Sequence, residues 1–291
     1  MTPIQPQPAA RQGLTEQEKQ DIRQLAAQCK EHESIEIKLI WDMLDRRSNE
    51  ETNDFLYYEN GTLLGYLALY QFNQREIEIV GMTHPKHRQR GIFKVLSKEA
   101  MVEGRRRGVH RLLFVCPRQS IEAKHFATSI HSTYSFSEYH MKLIEHTPYI
   151  SNPAVYLKRA DMTDIDILTA LNQSGFAMIE QEARGYTIQA LESPNTQTYI
   201  AYLKKDDFPI GRISVMINPD DAFIYGFCVD PAFRGQGHGR HILALTLDEI
   251  QKQQLPHIAL EVACENENAL HLYQSCGFEK AFVHDYYECL L

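Results

Sequence analysis

The sequence lacks several features that would place it outside the class of ordinary globular proteins. None of its six cysteines has Cys-x-x-Cys spacing, which disfavours a zinc site or a disulfide framework and favours reduced thiols. No apolar run approaches the roughly 18 residues that a membrane span requires. The opening stretch, MTPIQPQPAARQG, has no apolar segment of the kind found in secretory signals. We therefore expect a cytoplasmic protein whose residues 1–13 form a flexible tail.

An excess of positive charge is also lacking. The formal net charge is −8, with 43% apolar and 23% charged residues, a balance typical of a globular protein that binds neither nucleic acid nor an anionic membrane. The basic run EGRRRGVHR (103–111) falls at the end of a predicted helix. Cations complement the helix dipole there, so we interpret the run as a solvated helix end. The composition leaves the oligomeric state open.

What the chain does contain is an internal repeat. The stretch THPKHRQRGIF (83–93) aligns with VDPAFRGQGHG (229–239) without a gap. Equivalent residues are 146 positions apart, as in the pairs Pro85 and Pro231, Arg88 and Arg234, Gly91 and Gly237, and Gly65 and Gly211. We interpret the repeat as two copies of one domain of ordinary size, covering residues 14–150 and 151–291. The boundary is predicted near HTPYISNPAV (146–155), where prolines interrupt the pattern.

Residue patterns in the second copy predict alternating strands and helices. Apolar runs predict strands over 154–160, 222–229 and 257–263, and Asp206-Asp207 marks a hairpin turn. One helix is predicted to begin near residue 163, and a longer one follows the glycines and runs to about Gln253. A short helix is predicted after Asn266, its cap. The expected fold class is α/β (α+β), with a mixed sheet flanked by helices.

The segment Arg-Gly-Gln-Gly-His-Gly (234–239) lies between a predicted strand and a predicted helix. Glycine permits positive φ angles and lets a ligand approach the backbone, and the first amides of a helix bind phosphate. A diphosphate ligand is therefore expected. The Gly-Lys-Ser/Thr ending of a P-loop is missing, and the glycine spacing is GxGxG rather than the GxGxxG of dinucleotide folds.

Two ordered blocks resemble the GNAT superfamily of N-acetyltransferases. The block VDPAFRGQGHGRHIL is similar to the family's acetyl-CoA-binding segment, whose pattern is Arg/Gln-x-x-Gly-x-Gly/Ala. The block LEVACENENALHLYQSCGF is similar to the segment that follows it in the family. The matching residues are Arg234, Gly237, Gly239, Asn266, Ala269, Tyr273, Gly277 and Phe278. The resemblance implies two tandem GNAT-like domains, each with a mostly antiparallel sheet, in a layout similar to that of mycothiol synthases.

The resemblance also implies a set of ligands and site residues. Acetyl-CoA would be the co-substrate, a small-molecule or peptide amine the acceptor, and no metal would take part. The backbone of Phe227, Cys228 and Val229 would bind the pantetheine, and an amide near Cys228 or Val229 would polarise the thioester carbonyl. Asn266 would bond the pantetheine arm, and Tyr273 would protonate the leaving thiolate. The pyrophosphate would be bound by Arg234, Gly235, Gln236, Gly237, His238, Gly239 and Arg240.

The general base is where the sequence departs from the family. Many relatives carry a glutamate on or near the strand that corresponds to 222–229, and this strand has no carboxylate. Glu261, Asp220-Asp221 and a water chain to the backbone stay open as alternatives. Glu261 has a second interpretation as an ion-paired or solvated strand residue. Cys228 has no adjacent histidine, so we interpret it as a small buried hydrophobe rather than a nucleophile.

The first copy lacks residues that the second copy has. The offset of 146 places Phe93, Ser120 and Ala127 where the second copy has Gly239, Asn266 and Tyr273. Arg88, Arg90 and Gly91 are kept, so phosphate binding by this copy stays open. We expect an N-acetyltransferase with its working site in the C-terminal half. The alternative is a non-catalytic module that binds acyl-CoA or regulates another protein.

Overall fold

Two compact units make up the computed structural model, which describes residues 8–47, 49–145 and 154–291. Unit 1 contains the residues up to Ser137 together with Phe282–Leu291, and unit 2 contains Glu138–Ala281. The units therefore differ from the two consecutive segments predicted, 14–150 and 151–291. The predicted boundary, 146–155, lies mostly outside the described residues.

The sheet of unit 1 has the order β1-β2-β3-β4-β5-β12. Its neighbours pair in antiparallel fashion except β4 and β5, which are parallel. Ala9–Arg11, within the predicted flexible tail, form a strand paired with β2, so the tail prediction is corrected for these residues. The strands are β1 (Ala9–Arg11), β2 (Asp54–Glu59), β3 (Thr62–Tyr70), β4 (Glu76–Thr83), β5 (Arg111–Pro117) and the part of β12 (Phe278–Leu290) from residue 282 onward.

Helices cover both faces of this sheet because both faces are apolar. Tyr66 and Tyr70 lie in one buried cluster with Ile22 of α1, while Leu67 lies in the other with Leu96 of α3. This division follows from the two-residue period of a strand. The helices of unit 1 are α1 (Glu16–Glu33), α2 (Trp41–Asp45), α3 (Ile92–Arg107) and α4 (Ile121–Ser129).

The sheet of unit 2 has the order β6-β11-β10-β9-β8-β7. Its one parallel pair among the described strands is β10 with β11, and the remaining neighbours are antiparallel. The mostly antiparallel sheet predicted for each half is therefore confirmed. The strands are β6 (Thr133–Leu143) from residue 138 onward, β7 (Val155–Arg159), β8 (Thr196–Leu203), β9 (Pro209–Ile217), β10 (Asp221–Val229) and β11 (His257–Ala263).

In the described part of unit 2, four α-helices flank the sheet. Ile242 and Leu247 of α7 belong to the main buried cluster, while Leu168 and Leu171 of α5 pack with residues of the opposite face of β8. The sequence predicted one helix in the region where α5 and α6 form two. No helix among the described residues combines the length and apolarity needed to cross a bilayer. The helices are α5 (Ile165–Phe176), α6 (Glu180–Glu192), α7 (His238–Gln251) and α8 (Glu267–Gln274).

Each unit's sheet takes one strand segment from the other sequence copy. In unit 1, residues 284–290 of β12 pair with β5. In unit 2, residues 138–142 of β6 pair with β11. The same offset of 146 relates the first residues of these two segments, so equivalent strands have exchanged places. This exchange is why the compact units do not coincide with the repeat.

Candidate active site

A β-bulge interrupts β10 of unit 2. Tyr225 pairs with Ser214 and Cys228 with Arg212, so two residues of β10 oppose one residue of β9. Gly226 lies in this bulge with φ +55°, a left-handed conformation that glycine adopts without steric cost. The equivalent residue of unit 1 is Val80, and β3 and β4 pair there without any shift of register. A β-branched side chain disfavours positive φ, which explains why β10 is bulged at this position and β4 is not.

Beyond the bulge, β10 and β11 separate. Their parallel pairing runs from Asp221 and His257 to Ile224 and Leu260 and then stops. The Asp230 amide donates to the Ile210 carbonyl of β9 at 2.8 Å. Because hydrogen-bonding groups alternate along a strand, those of Val229 face away from β9, toward the side from which β11 has diverged. The sequence analysis expected the amide of Cys228 or Val229 to face a ligand. The alternation along the strand favours the amide of Val229.

The glycine-rich loop follows the separated strand end. Gly235 and Gly237 have φ angles of +74° and +81°, and a Cβ added at either position would meet nothing within 4 Å. Backbone conformation, rather than space, therefore requires glycine at these two positions. Gly237 is the N-cap of α7 and supplies no capping side chain. The first amides of α7 are consequently unsatisfied by a cap, which is the arrangement that binds phosphate at a helix N-terminus.

Two side chains of this loop are hydrogen-bonded to backbone carbonyls of the protein itself. Arg234 was expected to add charge to a phosphate site, but its guanidinium donates to the carbonyls of Val229 (2.8 Å) and Gly175 (3.1 Å). Gln236 likewise donates to a backbone carbonyl in the preceding turn. The side chain of Arg240 is exposed, and His238 is buried with no hydrogen bond to its Nδ1 from any described residue. Arg234 thus braces the loop.

Helix α8 carries the two other polar residues predicted for the site. The Asn266 side chain accepts from the Ala269 amide at 3.1 Å and caps the helix. Ser120 caps α4 of unit 1 in the same way, by accepting from the Ala123 amide at 3.3 Å. The register of the repeat is therefore preserved in the local hydrogen bonding.

Tyr273, on the last turn of α8, is buried against two aromatic rings. Its ring centroid lies 6.4 Å from that of Phe227 and 6.1 Å from that of Phe278. Its hydroxyl has no hydrogen-bond partner within the part of the chain that the structure describes. Burial raises the pKa of Tyr273 to about 12. The phenol is therefore protonated at physiological pH, as a proton donor must be.

Both copies of the repeat match one known protein family. The sequence profile of the "Acetyltransferase (GNAT) family" matches residues 19–130 and 165–278, most of both copies. The chain belongs to the GNAT acetyltransferase family. The recognition made from the two sequence blocks is therefore confirmed.

Solved structures show that the tandem GNAT fold is shared over the whole chain. A GCN5-related N-acetyltransferase from Sphaerobacter thermophilus matches with a TM-score of 0.80 at 14% identity, covering 97% of this chain and 95% of that one. A tandem GNAT protein from the clavulanic acid biosynthesis pathway matches with a TM-score of 0.72 at 16% identity, covering 98% of each chain.

Sequence relatives match over shorter stretches. A [ribosomal protein bS18]-alanine N-acetyltransferase of Escherichia coli strain K12 is 38% identical over 64 residues, which are 22% of this chain and 43% of that protein. A mycothiol acetyltransferase of Brachybacterium faecium is 36% identical over 59 residues, 20% of this chain and 18% of that protein. The chain thus spans less than half the length of either relative.

The base candidates of this GNAT protein lie in different places. Asp221 begins β10, eight residues before Val229, so Asp220-Asp221 lie more than about 20 Å from the cleft by strand length. Glu261 lies on β11 near the separation, with its carboxylate 3.7 Å from His140 Nδ1. It alternates with the core residues Leu260 and Val262 and so faces the side opposite the core that contains Tyr273. The structure therefore leaves Glu261 as the carboxylate candidate beside the cleft.

The backbone of Cys228 pairs with β9, and its side chain is buried against α5. Its thiol donates to the Leu171 carbonyl at 3.5 Å, and burial raises its pKa to about 11. A thiol with so high a pKa is protonated at neutral pH and is a poor nucleophile.

Arg212 of β9 is a polar residue that the sequence analysis missed. It is completely buried, and its guanidinium donates to Asn172 Oδ1 at 2.9 Å and to the Ser214 hydroxyl. Within the described residues no carboxylate lies at ion-pair distance, and its Nε has no hydrogen-bond partner. A Cβ added at Gly226 would lie 3.1 Å from Arg212 Nη2, which places this cation beneath the bulge. The sequence feature that could have indicated this buried cation was an arginine within the apolar strand PIGRISVMI.

The two arginines in the loop of unit 1 that corresponds to 234–239 are neutralised by carboxylates. Arg88 donates to Glu33 at 2.5 Å, and Arg90 forms two hydrogen bonds with Glu59 at 2.8 and 2.9 Å. Arg234 of unit 2 has no such carboxylate partner among the described residues. A diphosphate bound in unit 1 would therefore compete with two carboxylates, which disfavours the phosphate site that the sequence left open there.

Proposed function

We propose that the chain transfers an acetyl group from acetyl-CoA to an amine nitrogen, with one working site in unit 2. The observation that carries this proposal is the junction of a separated strand pair with an uncapped helix N-terminus. The junction occurs in unit 2 with a bulge in β10 and a buried tyrosine. In unit 1 the equivalent strand β4 pairs with β3 without a bulge, Ala127 stands in place of Tyr273, and the loop arginines are paired with carboxylates.

The residues of unit 2 fit acetyl-CoA in three ways. The edge of β10 beyond Ile224 has lost its β11 partner, so the backbone there can pair with the amides of a pantetheine as an added strand would. The amides of residues 235–240 form a helix N-terminus suited to a pyrophosphate. Asn266, although its side-chain oxygen caps α8, has an amide nitrogen that can donate to the pantetheine arm.

The reaction that follows forms a C–N bond and breaks a C–S bond. Acetyl-CoA supplies an acyl group activated as a thioester. The Val229 amide polarises the carbonyl oxygen by hydrogen bonding, and the Tyr273 hydroxyl donates to the departing sulfur. An alkylamine has a pKa near 10, so it must lose a proton before it attacks. We assign the acceptance of this proton to Glu261, either directly or through a water molecule.

The acceptor belongs to the class of small-molecule or peptide amines. The relatives support this breadth, because the names of two of them refer to a protein alanine and to a small thiol, mycothiol. A panel should therefore contain an alanine-starting peptide, an internal-lysine peptide and small primary amines. The assay follows free thiol released from acetyl-CoA, together with the shift in melting temperature that acetyl-CoA causes. At a hundredfold excess over its Kd, a ligand stabilises the fold by about 2.7 kcal/mol.

A matched pair of variants locates the site. Gly237→Asp places a carboxylate at the N-terminus of α7, and Gly91→Asp does the same at α3. Both glycines have φ near +80° and nothing within 4 Å of an added Cβ, and aspartate tolerates this conformation. We expect Gly237→Asp to abolish the acetyl-CoA shift and thiol release, while Gly91→Asp leaves both unchanged.

Two outcomes would contradict the proposal. One is the absence of both thiol release and thermal stabilisation in the unaltered protein. The other is loss of the shift in Gly91→Asp rather than in Gly237→Asp. Stabilisation by acetyl-CoA without thiol release over the whole panel would instead indicate a non-catalytic acyl-CoA-binding protein.

A further inference from the structure

Unit 1 contains a cavity of about 420 Å³. It opens beyond Ile79 and Phe114, the last residues at which β4 and β5 pair, and is bounded by the beginning of α3, by α4 and by residues from Cys29 to Ile37. Volumes of about 300–1,000 Å³ are usual for small-molecule sites. Its size alone therefore admits a ligand.

The walls of the cavity are mainly apolar. Phe93 takes the position that a glycine has in unit 2, and its ring packs edge-on against Phe126 with centroids 4.7 Å apart. A Cβ added at Gly81 would lie 2.5 Å from the Phe93 ring, so the ring lies directly on β4. Isoleucine, valine and alanine side chains complete the lining, as at Ile92, Val115 and Ala123.

One end of the cavity holds two hydrogen-bond donors that form no hydrogen bond with a described residue. Thr83 and Arg88 both line it, and Thr83 Oγ1 and Arg88 Nη1 are buried without a hydrogen bond to any described residue. Arg88 Nη1 does lie 3.5 Å from Glu122 Oε1, at ion-pair distance. They lie at the same end, since Arg88 Nε donates to the Thr83 carbonyl at 3.4 Å. Buried polar groups are nearly always hydrogen-bonded in folded proteins. A ligand oxygen at this end would accept from both groups.

The charge at this end favours an uncharged ligand. The Arg88 guanidinium is already bonded to Glu33 and lies 3.5 Å from Glu122. A further anion would bring a third negative group to one guanidinium, which like-charge repulsion opposes. Lys94, another cation in the lining, is exposed and so is well solvated. The diphosphate that suits unit 2 is therefore disfavoured here.

We propose that this cavity binds an uncharged, mainly apolar small molecule whose hydrogen-bond-accepting oxygen lies between Thr83 and Arg88. The site lies in the unit without the catalytic tyrosine. It does not depend on the proposed acetyl transfer, so either proposal can fail without the other.

Fluorescence titration with N-phenyl-naphthylamine, a neutral apolar fluorophore without an oxygen atom, tests the cavity. We expect saturable binding with a stoichiometry of one. Displacement by para-butylbenzamide should require at least about tenfold less competitor than displacement by para-butylbenzoate, because the amide is neutral and accepts hydrogen bonds. Coenzyme A should not displace the fluorophore.

Two variants and one control assign the binding to unit 1. Ala123→Phe fills the cavity and should abolish fluorophore binding, whereas Val102→Phe, on an exposed part of α3, should not. Thr83→Val keeps the side-chain shape and removes the hydroxyl. It should weaken the benzamide by about 3- to 10-fold, the range for one hydrogen bond, and leave the fluorophore unaffected. Thr83→Val keeps the test valid if Ala123→Phe fails to fold.

Several results would overturn the proposal. They are displacement of the fluorophore by coenzyme A, undiminished binding in a folded Ala123→Phe protein, equal competition by benzoate and benzamide, and an unchanged benzamide affinity in Thr83→Val.

Discussion

Replacing Tyr273 by phenylalanine separates its proposed chemical role from its packing role. The ring lies in the core of unit 2 and its residue is 8% exposed, while its hydroxyl has no hydrogen-bond partner within the described ranges. Removing that hydroxyl therefore breaks no hydrogen bond with a described residue. Because phenylalanine keeps the ring and its contact with Phe227, we expect the free energy of unfolding to change by less than about 0.5 kcal/mol.

The rate should respond very differently from the stability. A positioned proton donor contributes a factor of about 10² to 10⁴, which corresponds to roughly 2.7 to 5.4 kcal/mol of barrier. We expect kcat to fall by that factor and the KM for acetyl-CoA to stay within about twofold, since the ring is unchanged. Thiol release at saturating acetyl-CoA and acceptor measures kcat, and urea unfolding measures the stability.

Tyr199→Phe is the matched control for this experiment. Tyr199 belongs to the same buried cluster, but its hydroxyl donates to Gln197 at 2.8 Å. We expect this variant to lose about 0.5 to 1.5 kcal/mol of stability, the usual range for one hydrogen bond, with no change in rate. A Tyr273→Phe protein that keeps more than half of the original kcat would refute the assignment of this phenol as the acid.

Two further predictions concern the fold. Gly226→Ala should destabilise the protein by about 1–3 kcal/mol, because φ is +55° and the added Cβ would lie 2.7 Å from the Tyr186 hydroxyl. Gly185 lies on α6, and a Cβ added there would meet no atom within 4 Å, so Gly185→Ala should instead stabilise the protein by up to about 1 kcal/mol. Equal changes in the free energy of unfolding by urea for the two variants would contradict the role of the bulge. Glu103→Gln tests an ion pair at the end of α3. The hydrogen bonds from Arg106 hold the pKa of Glu103 below its usual 4.5 despite burial. A lowered pKa stabilises the folded state above pH 4.5, and this contribution is lost as the pH falls further. The difference in unfolding free energy between the two proteins should therefore be large near neutral pH and small at about pH 3; a difference independent of pH would contradict it.

Local features of the chain were largely predictable because they depend on neighbouring residues. The strand prediction for 257–263 agrees with β11 residue for residue. The predicted cap Asn266 bonds the Ala269 amide. Gly237 adopts the positive φ inferred from its position before a helix. Such features follow from hydrogen bonds or dihedral preferences within a few residues, which a sequence pattern records directly.

Long-range pairings could not be inferred in the same way. Arg88 and Glu33 are 55 residues apart in the chain, and no local pattern indicates that they bond. Arg212 was missed because a buried cation resembles any other strand residue until its neighbours are known. The sequence analysis interpreted the region that contains α5 and α6 as one helix and so did not separate α6 from α5.

By itself, the sequence determined that the protein is a repeat with an offset of 146 residues, that each copy alternates strands and helices, and that the second copy has a glycine loop suited to a diphosphate. These properties are encoded in residue spacing. Only the tertiary structure decided which strand completes each sheet, because residues 138–142 and 284–290 are equivalent in sequence and either could pair at either edge. It also decided that Arg88 and Arg90 of unit 1 are paired with carboxylates, while Arg234 of unit 2 is not paired with a carboxylate of any described residue. Both outcomes depend on which distant segments the fold brings together, and spacing along the chain does not specify that.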